Sequence, residues 1–179
     1  MKSKKADPKI IRLIVRYLIL VLVAIPNLWI FYTVFTSLTA YPSYWLTKIF
    51  FDSLLLGNNI ILVNGMIPIE LIKSCIAGSA YYLLTILNLS IPNITFNKRI
   101  AMILLSYLAF LVVNIIRIFA LTVVYVTDNQ IFDITHEVFW YALSTAFVVV
   151  IWFAEVKFFK IKDVPVYSDI KLLLKHIKK

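Results

Sequence analysis

One cysteine, two histidines and nine acidic residues are all the chain holds of the groups that usually build disulfides, metal sites and acidic faces. A single cysteine excludes an intramolecular disulfide and any cysteine-rich metal site. One thiol and one histidine outside the basic tail leave too few ligands for zinc without recruited carboxylates, so no metal and no cofactor is expected. There is no internal repeat and no low-complexity tract. A cleavable signal peptide is not convincing, because the first apolar run is too long for an h-region and the small residues near Ala40 make a weak cleavage site. That run reads as a retained anchor. Scarcest of all is a polar skin: 62% of the 179 residues are hydrophobic and the mean hydropathy is +0.92. Soluble domains stay near half apolar, whereas here the apolar residues fall into runs of about 20, the length that crosses a hydrocarbon core.

What charge there is sits in clusters. The formal net charge is +9, but the positive residues are not spread over a surface as nucleic-acid binding would need, so no nucleic-acid partner is expected. Lys2, Lys4, Lys5, Lys9, Arg12 and Arg16 precede the first apolar run, Lys98 and Arg99 separate two later runs, and the remaining cluster extends from Lys157 to Lys179. Basic clusters beside spans are the positive-inside signal, with attraction to anionic membrane lipid as a by-product.

These patterns predict an all-α membrane protein in a single integral domain: a bundle of about four transmembrane helices with an interfacial helix and a small β-hairpin on the outer face. A basic cytoplasmic N-terminus (1–16) leads into a first span at 17–38, followed by an outer segment at 40–73. Spans two to four occupy 74–91, 100–126 and 136–156, and a basic cytoplasmic tail fills 157–179. Within the outer segment, 40–56 reads as an amphipathic interfacial helix or as a fifth span; a fifth span would put one basic cluster on the wrong side. Asn64-Gly65 is a favoured two-residue hairpin turn because both positions need positive φ, and Pro68 confines the second arm to a sheet edge. With both termini inside, the inner segments hold 15 Lys and Arg against four acids, while the outer ones hold Lys48 and Lys73 against five acids. The expected location is therefore the plasma membrane, multi-pass.

On that topology Cys75 opens span two and His136 opens span four at the outer face. Arg117 lies nine residues from the outer end of span three, about 14 Å at ~1.5 Å per residue, and snorkelling would bring its guanidinium closer to the surface. An arginine inside a span costs at least ~2.5 kcal/mol on insertion scales. It needs a partner, which could be Asp128, Asp133, Glu137 or helix carbonyls, or else a water-filled cavity. Asn114 stands one turn before it on the same face. Asp133 or Thr135 would cap the helix that carries His136. At a helix start, the dipole and unpaired N–H groups would favour the Cys75 thiolate. Thiol, imidazole and guanidinium are the parts of an acyl-transfer site, as nucleophile, proton carrier and charge stabiliser.

Cys75 in KSCIAGSAYYLL, Asn114-Ile-Ile-Arg117 in LVVNIIRIFAL and His136 in DITHEVFWYAL together resemble the exosortase/archaeosortase family, over roughly residues 58–155. Members often carry Gly two residues after the Cys, whereas here Gly78 is three after it. The resemblance implies a membrane-embedded cysteine protease or transpeptidase. Its partners would be exported proteins whose C-terminus carries a short motif, a transmembrane helix and a basic cluster. Cys75 would form a thioacyl-enzyme, Arg117 and His136 would complete the catalytic set, and Asn114 and Asp133 would support it. A second nucleophile, an amine or a lipid- or glycan-linked acceptor, would release the product. Apart from that resemblance, the residues also fit a small transporter or accessory subunit in which Arg117 binds an anion or pairs structurally, or a non-catalytic lipid-binding membrane protein.

Overall fold

Backbone breaks set the architecture of the computed structural model, which describes residues 14, 15, 17–19, 21, 22, 28–92, 94–127 and 144–161. The described residues before 23 are helical, and at Leu28 the chain adopts the left-handed conformation (φ 58°). There a new helix, α1 (Trp29–Phe50), begins. The first apolar run is thus not one continuous helix over 17–38. Nor does a separate interfacial helix follow, since Tyr41–Phe50 simply continue α1 through Pro42. Phe31, Phe35, Thr39, Ser43 and Thr47 recur every fourth residue and form its buried face. The Thr36 and Thr47 hydroxyls bond back to the carbonyls of Tyr32 and Ser43, which keeps polar groups satisfied within an apolar helix.

After α1 the chain folds into a three-stranded antiparallel sheet in the order β1 (Ser53–Leu56), β2 (Ile60–Val63), β3 (Ile67–Glu70). The expected hairpin is its β2–β3 half. Asn64 (φ 52°) and Gly65 (φ 68°) both take positive φ in a turn closed by Met66 N–H on the Val63 carbonyl. The connection is three residues and not the two expected, since Val63 pairs with Ile67 and Met66 is left outside the ladder. Ile61 and Val63 are fully buried from β2, and Pro68 lies on the edge strand β3, where a missing N–H harms no ladder.

Beyond the sheet come a single helical turn, α2 (Lys73–Ile76), then α3 (Gly78–Leu89), α4 (Phe96–Thr127) and α5, described over Ser144–Phe158. The join between α2 and α3 is Ala77, again left-handed (φ 56°), a conformation that costs a non-glycine residue roughly 1–2 kcal/mol. Gly78 follows because the Tyr32 ring of α1 lies where a Cβ would be, 2.8 Å away. Only a residue without a side chain lets the two helices approach this closely.

The core is aromatic. Tyr81, fully buried, stacks on Phe35 with ring centroids 3.5 Å apart, while Tyr107 and Phe110 of α4 meet it edge-on. On α4 the buried Met102, Ser106, Phe110 and Asn114 face this core, and Leu104, Leu108, Val112 and Ile116 form an exposed apolar stripe. The fold is therefore mostly helical with a small antiparallel sheet. Among the described residues one helix, α4, is long and apolar enough to cross a membrane, where four had been expected. With 12 residues, α3 spans about 18 Å, short of the ~30 Å hydrocarbon core.

Candidate functional site

The left-handed residue Ala77 leaves backbone carbonyls of α2 without helical partners. In an uninterrupted helix the Ser74 and Cys75 carbonyls would accept from the N–H groups four residues on. The break aims them instead at α4. Asn114 Nδ2 donates to the Cys75 carbonyl at 2.9 Å, and Arg117 Nη2 donates to the Ser74 and Cys75 carbonyls at 3.1 and 3.3 Å. Arg117 Nη1 reaches the Ser144 hydroxyl of α5 at 2.6 Å. One arginine therefore joins three segments, and the planar guanidinium fork suits that task in a way a lysine would not. The partner that Arg117 requires inside an apolar bundle is helix carbonyls and a hydroxyl. Among the described residues no carboxylate pairs with it.

Cys75, Asn114 and Arg117, taken from the sequence as candidates, are thus brought together. Asn114 and Arg117 are 1% and 6% exposed, and each keeps one atom, Oδ1 and Nε, without a partner among the described residues. His136 and Asp133 lie outside the described residues, as do Asp128 and Glu137.

Cys75 is half-buried and free. It lines a cavity of about 270 Å³ between β3 and α4, with Glu70, Leu71, Ile118, Leu121 and Tyr125. A second cavity on the other side of α2, about 470 Å³, is lined by Lys73, Ser74, Ser79 and Ser144. Burial pushes the thiol, on the one-turn helix ahead of the break, above the usual thiol range; Arg117 pulls the other way without offsetting it. The expectation of a helix-start thiolate fails for a simple reason. Burial in the apolar surroundings outweighs the nearby charge of Arg117. The resting thiol keeps its proton, and any nucleophilic role needs a base.

Sequence reasoning missed Ser144 and the break at Ala77. It also missed a second polar centre at the other end of α3. There Asn88 Nδ2 donates to Glu155 Oε2 at 3.0 Å and to the Ser106 hydroxyl at 3.2 Å. Arg99 closes the end of α3 by donating to the carbonyls of Asn88, Leu89 and Ile91. The signal was present: Asn88, Ser106 and Glu155 are polar residues inside apolar runs, which in membranes turn toward one another. No family model matches the chain, and no curated protein or solved structure matches it either.

Proposed function

We propose that the chain is a membrane-embedded cysteine peptidase or transpeptidase that cleaves C-terminal sorting signals of exported proteins at the outer face. The observation that carries this reading is the double hold on Cys75: Asn114 and Arg117 both bond its carbonyl, and the same residue borders a cavity. Two buried, charge-assisted or amide hydrogen bonds to one peptide unit fix the thiol's backbone before any substrate arrives, which is the preorganisation an acyl transfer needs.

In this account His136 takes the Cys75 proton. The sulfur then attacks the scissile carbonyl, and the developing oxyanion is stabilised by the positive charge of Arg117. The C–N bond breaks, the amine leaves with the proton from His136, and a thioester remains on Cys75. An amine, a lipid- or glycan-linked group, or water then displaces the thiol. A lipid setting is supported by α4 and by its exposed Leu104, Leu108, Val112 and Ile116 stripe. A cytoplasmic position for both termini is supported by the basic clusters beside the apolar runs. The test is co-expression with an exported protein ending in motif, apolar helix and basic cluster. Cys75→Ala should leave that protein full-length, and continued trimming would end the catalytic reading.

A second reading has its own observation. Among the described residues every hydrogen-bond partner of Arg117 is a carbonyl or a hydroxyl, the pattern of a structural helix cap, which fits a transporter or accessory subunit that tolerates Cys75→Ser.

A further inference from the structure

Among the described residues, the edge of the sheet beside Cys75 has unpaired main-chain groups of a defined kind. Leu71 N–H donates to the Asn59 carbonyl at 2.7 Å. In an antiparallel ladder, residues alternate between those bonded to the partner and those facing away. With Ile69 opposite Ile61 and Ile67 opposite Val63, the alternation turns the main-chain groups of Pro68 and Glu70 away from β2. Pro68 has no N–H to offer. The Glu70 carbonyl already accepts from Ile72 N–H at 3.1 Å. What faces outward is one acceptor, the Pro68 carbonyl, and one donor, the Glu70 N–H, flanking Ile69. Among the described residues no fourth strand pairs with β3.

One acceptor and one donor on either side of a residue are what a single residue of a parallel extended chain satisfies, with its own N–H and C=O. The same segment, Pro68 to Ile72, forms a wall of the 270 Å³ cavity that also holds Cys75. Apart from Glu70 that cavity is lined by uncharged residues, mostly apolar, and the Glu70 carboxylate is close enough to bear on the thiol. We infer that β3 is a docking strand for an extended peptide, which lays one residue between Pro68 and Glu70. That peptide places an apolar side chain in the cavity beside Cys75 and a cationic side chain against Glu70. The inference rests on the reading of Cys75 as a nucleophile toward peptides and adds how the peptide is held and what it must carry. Because Pro68 cannot donate, the strand clamps a single residue and does not template a growing sheet, which also protects this edge from self-pairing.

The test uses the chain's only thiol and needs no turnover. The full chain in detergent is alkylated with acetyl-Ala-Lys-Leu chloromethyl ketone, with its Ala-Glu-Leu counterpart, and with lysine reagents N-methylated at the lysine or at the leucine. Each rate is divided by that of iodoacetamide, which reports thiol access and an intact fold. In every reagent the sulfur displaces a halide, leaving a thioether. The lysine reagent should exceed the glutamate one at least tenfold, and N-methylation at one of the two positions should remove most of its advantage. Glu70→Lys should invert the lysine preference, and Leu121→Trp should abolish the peptide advantage while leaving the iodoacetamide rate within about twofold. Equal ratios for all four reagents, or ratios indifferent to Glu70→Lys, would overturn the docking strand. That outcome is separable from failure of the catalytic reading, which would appear as trimming that survives Cys75→Ala.

Discussion

The two ends of α3 use the same device for different purposes. On either side of it an arginine from α4 satisfies carbonyls left without helical partners: Arg117 those of Ser74 and Cys75 in α2, just before α3, and Arg99 those of Asn88, Leu89 and Ile91 at its C-terminal end. Around Asn88 the polar side chains are sealed, with Asn88, Ser106 and Glu155 all buried and Asn88 bonded to both of the others across three helices. Around Cys75 the centre borders cavities, through Cys75, Ser74 and Ser144, and holds the only thiol. Unpartnered atoms do not separate the two ends, since among the described residues Asn88 Oδ1 and Glu155 Oε1 lack a partner just as Asn114 Oδ1 and Arg117 Nε do. A capping arginine is therefore no sign of a site by itself. The thiol and the space beside it make the difference, so variants at the two ends should separate stability from activity.

The largest separation is expected at the thiol. Cys75→Ala should lower processing by at least about 10³-fold, as removal of a nucleophile does, with unfolding in detergent micelles shifted by less than about 1 kcal/mol. Arg117→Ala comes next: it takes the donor from the Ser74 carbonyl, leaves the Cys75 carbonyl to Asn114 alone and removes a bond to the Ser144 hydroxyl, a loss of about 3 kcal/mol, and processing per folded molecule should fall on the order of 10²-fold. Arg99→Ala should cost about 2 kcal/mol in the same unfolding assay while processing per folded molecule stays within about twofold. If Arg99→Ala silenced processing as Arg117→Ala does, the contrast between the two ends would collapse. Gly78→Ala drives a methyl into the Tyr32 ring and should cost about 1–3 kcal/mol, with much of the loss recovered by adding Tyr32→Leu. The smallest expected effect is that of Glu155→Gln, which keeps an acceptor for Asn88 and should change stability by about 1 kcal/mol or less. Alkylation of Cys75 should keep rising with pH through and beyond the ordinary thiol range, because the folded thiol loses its proton later than a free one.

Much of this arrangement was legible in the sequence, for identifiable reasons. Asn64-Gly65 announced its turn because few other pairs take positive φ twice, and Pro68 announced an edge because it cannot join a ladder on both sides. Asn114 and Arg117, one turn apart on an apolar helix, had to face one polar target. The identity of that target was hidden. Alanine has no preference for the left-handed conformation, so nothing at Ala77 signals the break that frees the Ser74 and Cys75 carbonyls. The break depends on tertiary contact, with Tyr32 lying over Gly78. Likewise Ser53–Leu56 reads as more of an apolar helix, and only pairing with Ile60–Val63 makes it a strand. The break expected between 38 and 40 is absent because α1 runs on through Pro42, with Thr39, Ala40 and Ser43 beside it buried. Among the described residues one helix has the length and apolarity of a span where four were expected, because hydropathy measures apolar length and cannot see breaks such as those at Leu28 and Ala77.

The central claim is that Cys75 becomes acylated. Its most direct measurement is the mass of the Cys75 peptide from chain isolated in acid after co-expression with a protein bearing a C-terminal motif, apolar helix and basic cluster. The account predicts a substrate-derived acyl group on Cys75 that hydroxylamine removes and that is absent from Arg117→Ala. An unmodified Cys75 from cells in which the substrate is visibly trimmed would contradict it.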